Sequence, residues 1–162
     1  MIFKKFIKEI LRKAFDLKSS NLKIDDSKIL LAQTLVRENK NSMFLNIQDA
    51  EFKVFSQWGE DGIIQYLINK LPIKNKVFIE FGVEDYTESN TRFLLENDNW
   101  SGLVMDGSID NINQIKNNHI YWKYDLLAKD IFITKDNIND TIENYMTNHD
   151  FDKEIGFIKC RY

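Results

Sequence analysis

Val77-Phe78-Ile79-Glu80-Phe81-Gly82-Val83-Glu84-Asp85 is an apolar run interrupted by one acid and closed by a glycine. Such a run reads as a strand buried on both faces, Val77–Phe81. The glycine marks a turn, and Asn90–Asn97 continues as a helix. A second apolar run, Gly102–Met105, ends in Asp106, 24 residues after Gly82. Strand, glycine turn, helix, strand and acid follow one another as in a nucleotide-binding unit. There the glycine lets a ligand approach the main chain, and the second acid accepts hydrogen bonds from ribose hydroxyls. Glu80 lies inside the first strand, where burial of even a neutral unpaired polar group costs about 2–7 kcal/mol. It is therefore expected to reach out of the core at the strand's carboxyl end. Asp106 also reads as the turn residue of an Asp-Gly pair, and Gly82 as an ordinary turn glycine.

Outward from this unit, Gly59-Glu60-Asp61-Gly62 opens a helix carrying Ile63, Ile64, Leu67, Ile68 and Leu71, with its acids at the positive end of the dipole and Pro72 closing it. Downstream, a helix over 109–118, a third strand Ile120–Tyr124, a helix marked by Ile138, Ile142, Tyr145 and Met146, and a fourth strand Ile155–Ile158 follow. Asp125, just after the expected third strand, is a candidate for the adenine side of a ligand. The alternation predicts an α/β fold, a Rossmann-like doubly wound and mostly parallel sheet.

Ahead of it, residues 1–50 read as a helical extension and residues 51–162 as the sheet domain. Ile2, Phe3, Phe6, Ile7, Ile10, Leu11, Ala14 and Phe15 stand at helical spacing over residues 2–15. The same stretch suits either a peripheral contact with an anionic membrane or packing on the chain's own domain or a second subunit. Residues 21–26 read as a polar connector and residues 27–38 as a second helix. Six basic residues against Glu9 and Asp16 give residues 1–18 a charge of +4, so the rest carries −7 to reach the net −3.

Composition narrows the class. A chain that is 43% apolar and 29% charged is an ordinary globular protein, and its acidic body offers no stripe for nucleic acid. A lone Cys160 excludes an internal disulfide framework, no spacing suggests zinc, and a cytoplasmic setting fits. No segment reads as a membrane span or a convincing signal peptide. The wealth of Lys, Asn and Ile, residues with AT-rich codons, points to a low-GC bacterium. Glu84 and Asp85 read as a solvated pair, His119 and His149 as surface residues, and Trp58 and Trp100 as core residues or stacking platforms.

Phe55-Ser-Gln57-Trp-Gly59-Glu60-Asp61-Gly62-Ile, Phe78-Ile-Glu80-Phe-Gly82-Val-Glu84-Asp85, Asn90-Thr91-Arg92-Phe-Leu-Leu, Trp100-Ser-Gly102-Leu-Val-Met-Asp106-Gly107-Ser108 and Phe132-Ile-Thr134-Lys-Asp-Asn137-Ile-Asn139 together resemble the FkbM-like, S-adenosylmethionine-dependent methyltransferases. The resemblance spans roughly residues 52–158. It implies a class I methyltransferase sheet, with Glu80 and Gly82 flanking the cofactor's methionine, Asp106 on its ribose, and Gln57 and Asp61 nearby. It also implies an acceptor hydroxyl on a sugar or small metabolite, as in surface-polysaccharide biosynthesis. Tyr86 stands where the family tends to have glycine and is expected to narrow the pocket.

The family continues past strand four into a run like Ser-Val-Asp-Ile-Asp-Gly. Lys159-Cys160-Arg161-Tyr162 departs from it. With the codons AAG TGT CGA TAT, loss of one A restores Ser-Val-Asp-Ile, so truncation by a frameshift is one expectation and a genuine variant terminus the other. A truncated sheet, the N-terminal half only, is expected to leave Val77, Phe78 and Ile79 near an exposed edge open to self-association. Two further readings stand beside the methyltransferase: a non-catalytic cofactor-binding or interaction fragment, and a nicotinamide-dependent oxidoreductase, which the missing GxGxxG disfavours.

Overall fold

A computed structural model describes residues 2–148 and 154–160. His149, Arg161 and Tyr162 lie outside the described residues. Helix α1 spans Ile2–Asn41, α2 Glu60–Lys70, α3 Arg92–Asp98, α4 Ile109–Lys116, α5 His119–Lys123 and α6 Ile138–Asn148. Strands β1 Val77–Phe81, β2 Ser101–Asp106, β3 Leu126–Asp130 and β4 Phe157–Cys160 form one sheet in the order β3-β2-β1-β4. All three pairings are parallel. The chain winds outward from β1 to β3, then returns to add β4 on the other side of β1, as in a Rossmann-like sheet.

Alternation along the strands sends side chains to two cores. Phe78, Val104, Leu126 and Ala128 meet α2, α3, α4 and α5 through Ile64, Leu94, Leu95, Ile112, Ile115 and Ile120. Val77, Ile79, Phe81, Leu103 and Met105 meet Tyr145 and Met146 of α6. Helices on both faces explain why every residue of β1 is buried. The Phe78 ring lies over β2 at Gly102, where an added Cβ would fall 2.1 Å from its Cε2 atom.

Several expected boundaries change. Residues 2–15, the polar connector 21–26 and the helix 27–38 are one continuous helix. Nothing in the stretch breaks it, for it contains neither Gly nor Pro. Its polar centre is also used: Asp25 pairs with Arg92 of α3 at 2.9 Å and Ser27 Oγ donates to the Lys23 carbonyl at 2.8 Å. The third strand is not Ile120–Tyr124. Those residues belong to the short helix α5 and its cap, seeded by Asn118, whose side chain accepts from the Ile120 amide, and the strand follows at Leu126–Asp130. The fourth strand starts at Phe157, two residues later than expected, and the helix after β1 at Arg92 instead of Asn90.

The expected exposure of β1 is also corrected. β4 pairs with it from Phe78↔Phe157 to Phe81↔Cys160, and Val77, Phe78 and Ile79 are fully buried or nearly so. Among the described residues the sheet's outer strands are β3 and β4. Among the described residues no helix is long and apolar enough to cross a membrane.

Gly102→Ala is expected to lower unfolding stability by about 1–3 kcal/mol, because the Phe78 ring must move out of a filled core. Urea unfolding of both proteins reads this directly.

Candidate functional site

A cleft of about 610 Å³ opens at the carboxyl ends of all four strands. Phe81 and Gly82 follow β1, Asp106, Gly107 and Ser108 follow β2, Ile131, Phe132 and Ile133 follow β3, and Cys160 ends β4. Its volume is in the usual range for small-ligand sites, and it lies at the switch point where the winding direction reverses. Gly82 has φ 70°, a left-handed conformation that an L side chain rarely adopts, and its amide donates to the Met105 carbonyl at 2.8 Å. The turn therefore presents bare main chain to the cleft.

Asp106 sits on the same rim. Its Oδ1 accepts from the Ser108 amide at 2.9 Å and from Asn111 Nδ2 at 3.0 Å, and its Oδ2 accepts from the Glu84 amide at 2.8 Å. A carboxylate offers about four acceptor positions, so Oδ2 keeps one for a ligand hydroxyl. The internal bonds aim the carboxylate, and they also tie the β1–α3 loop to the start of α4. Beside Asp106 stand Ile131, Phe132 and Ile133, with Phe132 lying against Gly107 and 75% exposed, an apolar wall on which a flat base can lie.

The other expected site residues are placed differently. Glu80 does not reach out of the core; it is fully buried. It lies with Phe78 on the side of the sheet that carries α2 to α5, and α3 begins just in front of it. Oε2 accepts from Ser89 Oγ at 2.6 Å, Thr91 Oγ1 at 2.7 Å and the Thr91 amide at 3.1 Å, and Oε1 accepts from the Asn90 amide at 3.2 Å. Thr91, the N-cap of α3, makes no side-chain cap bond of its own. Glu80 supplies from the strand the acceptor that a helix start needs.

Asp61 is also turned inward. Its Oδ2 accepts from the amides of Val54, Phe55 and Ser56 at 2.7–2.8 Å, holding the loop before α2, while Oδ1 is buried with no partner. Burial pushes this carboxyl above its ordinary 3.8 against the pull of the three amides. Gln57 is exposed on the same loop and does not line the cleft. Asp125 precedes β3 and pairs through its carbonyl with the Gly102 amide at 3.0 Å, at the opposite end of the sheet from the cleft. The misplaced third strand accounts for this: the position just past the true strand is Ile131. Glu60 stays below the usual carboxylate range, because burial is outweighed by backbone amides, including that of Trp58, and by the Lys159 ammonium.

Tyr86 does not narrow the cleft. It is 1% exposed, packed in the core, with its hydroxyl 2.9 Å from Thr91 Oγ1. Burial, then the Glu80 charge, pushes its phenol well above the ordinary value. Trp100 is a core residue and Trp58 is exposed. The apolar wall was given no site role from sequence; its signal was three bulky apolar residues directly following a strand.

Two outcomes follow. Glu80→Gln is expected to destabilise the fold by about 2–4 kcal/mol, since it replaces an acceptor-only carboxylate by a group with a buried donor and weaker bonds; thermal unfolding measures it. Because folding raises the Asp61 value above 3.8, the folded chain takes up this proton first as pH falls. Asp61 then favours folding most below the unfolded value and progressively less as pH rises through the folded one. Urea titrations between about pH 3.5 and 7 are expected to lose this component in Asp61→Asn.

No family model matches the chain, and no curated protein or solved structure does either.

Proposed function

We propose that the chain is an S-adenosylmethionine-dependent methyltransferase that binds its cofactor in the cleft at the carboxyl ends of the strands. The observation that carries this reading is the convergence of Gly82, Asp106 and the Ile131–Ile133 wall on one cleft at the switch point. A nucleoside needs those three things: open main chain, an aimed carboxylate with a spare acceptor for ribose, and an apolar surface for its base. Their order along the chain agrees with the FkbM-like resemblance of residues 52–158.

Bound there, the cofactor would supply an electrophilic methyl group on sulfur. Gly82 and the left-handed turn after β1 would leave room for its amino-acid end, while Asp106 orients the ribose. Transfer is an in-line displacement, so the main task of the protein is to align the acceptor. The resemblance points to a hydroxyl of a sugar or small metabolite as that acceptor.

Calorimetric titration with S-adenosylmethionine, S-adenosylhomocysteine and NAD tests the proposal. The two adenosylated sulfur compounds are expected to bind in preference to NAD. Asp106→Ala should weaken them by about 10–100-fold, the equivalent of one hydrogen bond to a charged group. Preference for NAD, or equal binding by Asp106→Ala, overturns the reading. Transfer of labelled methyl groups to hydroxylated sugars then reads the acceptor class.

A further inference from the structure

Helix α1 carries an apolar stripe that the sheet domain leaves largely exposed. Ile10, Leu17, Ile24 and Leu31 follow one another at intervals of seven and are 51%, 67%, 52% and 71% exposed. Ile7 and Leu35 occupy the alternate seam position at the two ends, 41% and 40% exposed. The stripe therefore runs through four heptads with the a/d spacing of a coiled coil, and Asn21 and Lys28 fill polar a positions in it. At the middle of the stripe Asn21, Ile24 and Lys28 border an open groove with Lys53, Thr87 and Glu88, whereas the residues packed into the domain core lie elsewhere: Ile29, Ala32 and Val36 pack against Val54, Phe55 and Phe93. At 3.6 residues per turn that face is about 100° around the helix from the stripe.

The period identifies the kind of partner. A strict seven-residue repeat drifts by about 20° per heptad on a straight helix, so it stays in contact only with a second helix that coils around it. A flat surface needs no such repeat, and a bilayer has no use for Asn21 in mid-stripe. Charge and length identify the partner further. Residues 1–18 carry +4 and the remainder −7. Among the described residues, bonds to the domain run from Asp25, which pairs with Arg92, through Gln33 to Asn97 and Asn39 to the Ala50 carbonyl. Residues 2–20 thus extend roughly 29 Å at 1.5 Å per residue, about the length of the domain-bound half.

We infer that two copies of this chain associate through α1 as an antiparallel coiled coil. The basic N-terminal half of each helix lies along the domain-bound half of the other, beside an acidic domain. A crossing between residues 22 and 23 sets Ile10 level with Leu35 of the second copy, and Leu17 level with Lys28, whose aliphatic stem can cover it. The interface is isologous, each half-helix used once in each role. The inference is independent of the proposed cofactor cleft, which lies at the strand ends and contains no residue of α1.

Sedimentation velocity of the full chain tests it. The expected species has twice the 19.2 kDa chain mass. Leu17→Asp/Leu31→Asp, whose two sites are exposed, is expected to halve that mass while far-ultraviolet circular dichroism still shows a folded protein. In a Cys160→Ser background, Ile10→Cys mixed with Leu35→Cys is expected to yield a mixed disulfide. A monomeric wild-type chain, or a dimer that survives the double substitution, overturns the inference. Disulfides formed only between like variants overturn the antiparallel arrangement. A monomer that sediments with anionic phospholipid vesicles assigns the stripe to a membrane surface and overturns it as well.

Discussion

One buried carboxylate organises this fold. Glu80 stands in the central strand with no exposure, and its two oxygens take bonds from Ser89, Asn90 and Thr91. A charge so deep is tolerated only when hydrogen bonds replace its water. Here one donor, the Thr91 amide, is among those that the start of a helix leaves unsatisfied, and the Asn90 amide and the Ser89 and Thr91 hydroxyls complete the set. The strand thereby fixes where α3 begins and pins the loop 82–91 at both ends, since the other end is held by the Gly82 amide on Met105. Tyr86 fills the space beneath that loop and bonds Thr91, so the same network packs the core.

That pinned loop shapes the cleft. Its left-handed residues Gly82, Glu84 and Tyr86 turn the chain sharply. The turn brings the Glu84 amide to Asp106, and Asp106 in turn reaches Ser108 and Asn111. The carboxylate on the rim is thus aimed by three groups, two from different loops and one from the first turn of α4. A second anchor works at the other border of the domain. Arg92 stacks 3.9 Å from the Phe55 ring, donates to Glu96 and to the Thr87 carbonyl, and holds Asp25 of α1. It joins the long helix to α3 and to the loop that Asp61 gathers. Buried charges in this molecule serve mainly to fasten loops, and the cleft receives its shape from them.

Much of the fold was legible in the residues. The apolar runs of β1 and β2, the Gly59–Gly62 start of α2, the periodicity of α4 and α6 and the parallel alternation all stand where the pattern puts them. The errors have local causes. Ile120–Tyr124 has strand-like residues, but Asn118 caps a turn of helix there. Asn21, Asp25 and Asp26 give residues 21–26 the look of a connector, yet without Gly or Pro the helix continues and Asp25 finds Arg92. Propensity is a weak prior where a tertiary contact can overrule it.

The sequence by itself determined the class of fold, the order of its elements, and the presence of Gly82 and Asp106 at the ends of adjacent strands. These depend on apolar period and on turn chemistry, which act over a few residues. Only the tertiary structure decided which acids face inward. Glu80 and Asp61 carry the same charge as Asp106, but their partners lie five to eleven residues away in loops whose course no local pattern specifies. It also decided that Ile131–Ile133 meet the ends of β1 and β2, because strand register, a property of the assembled sheet, brings those positions to one rim.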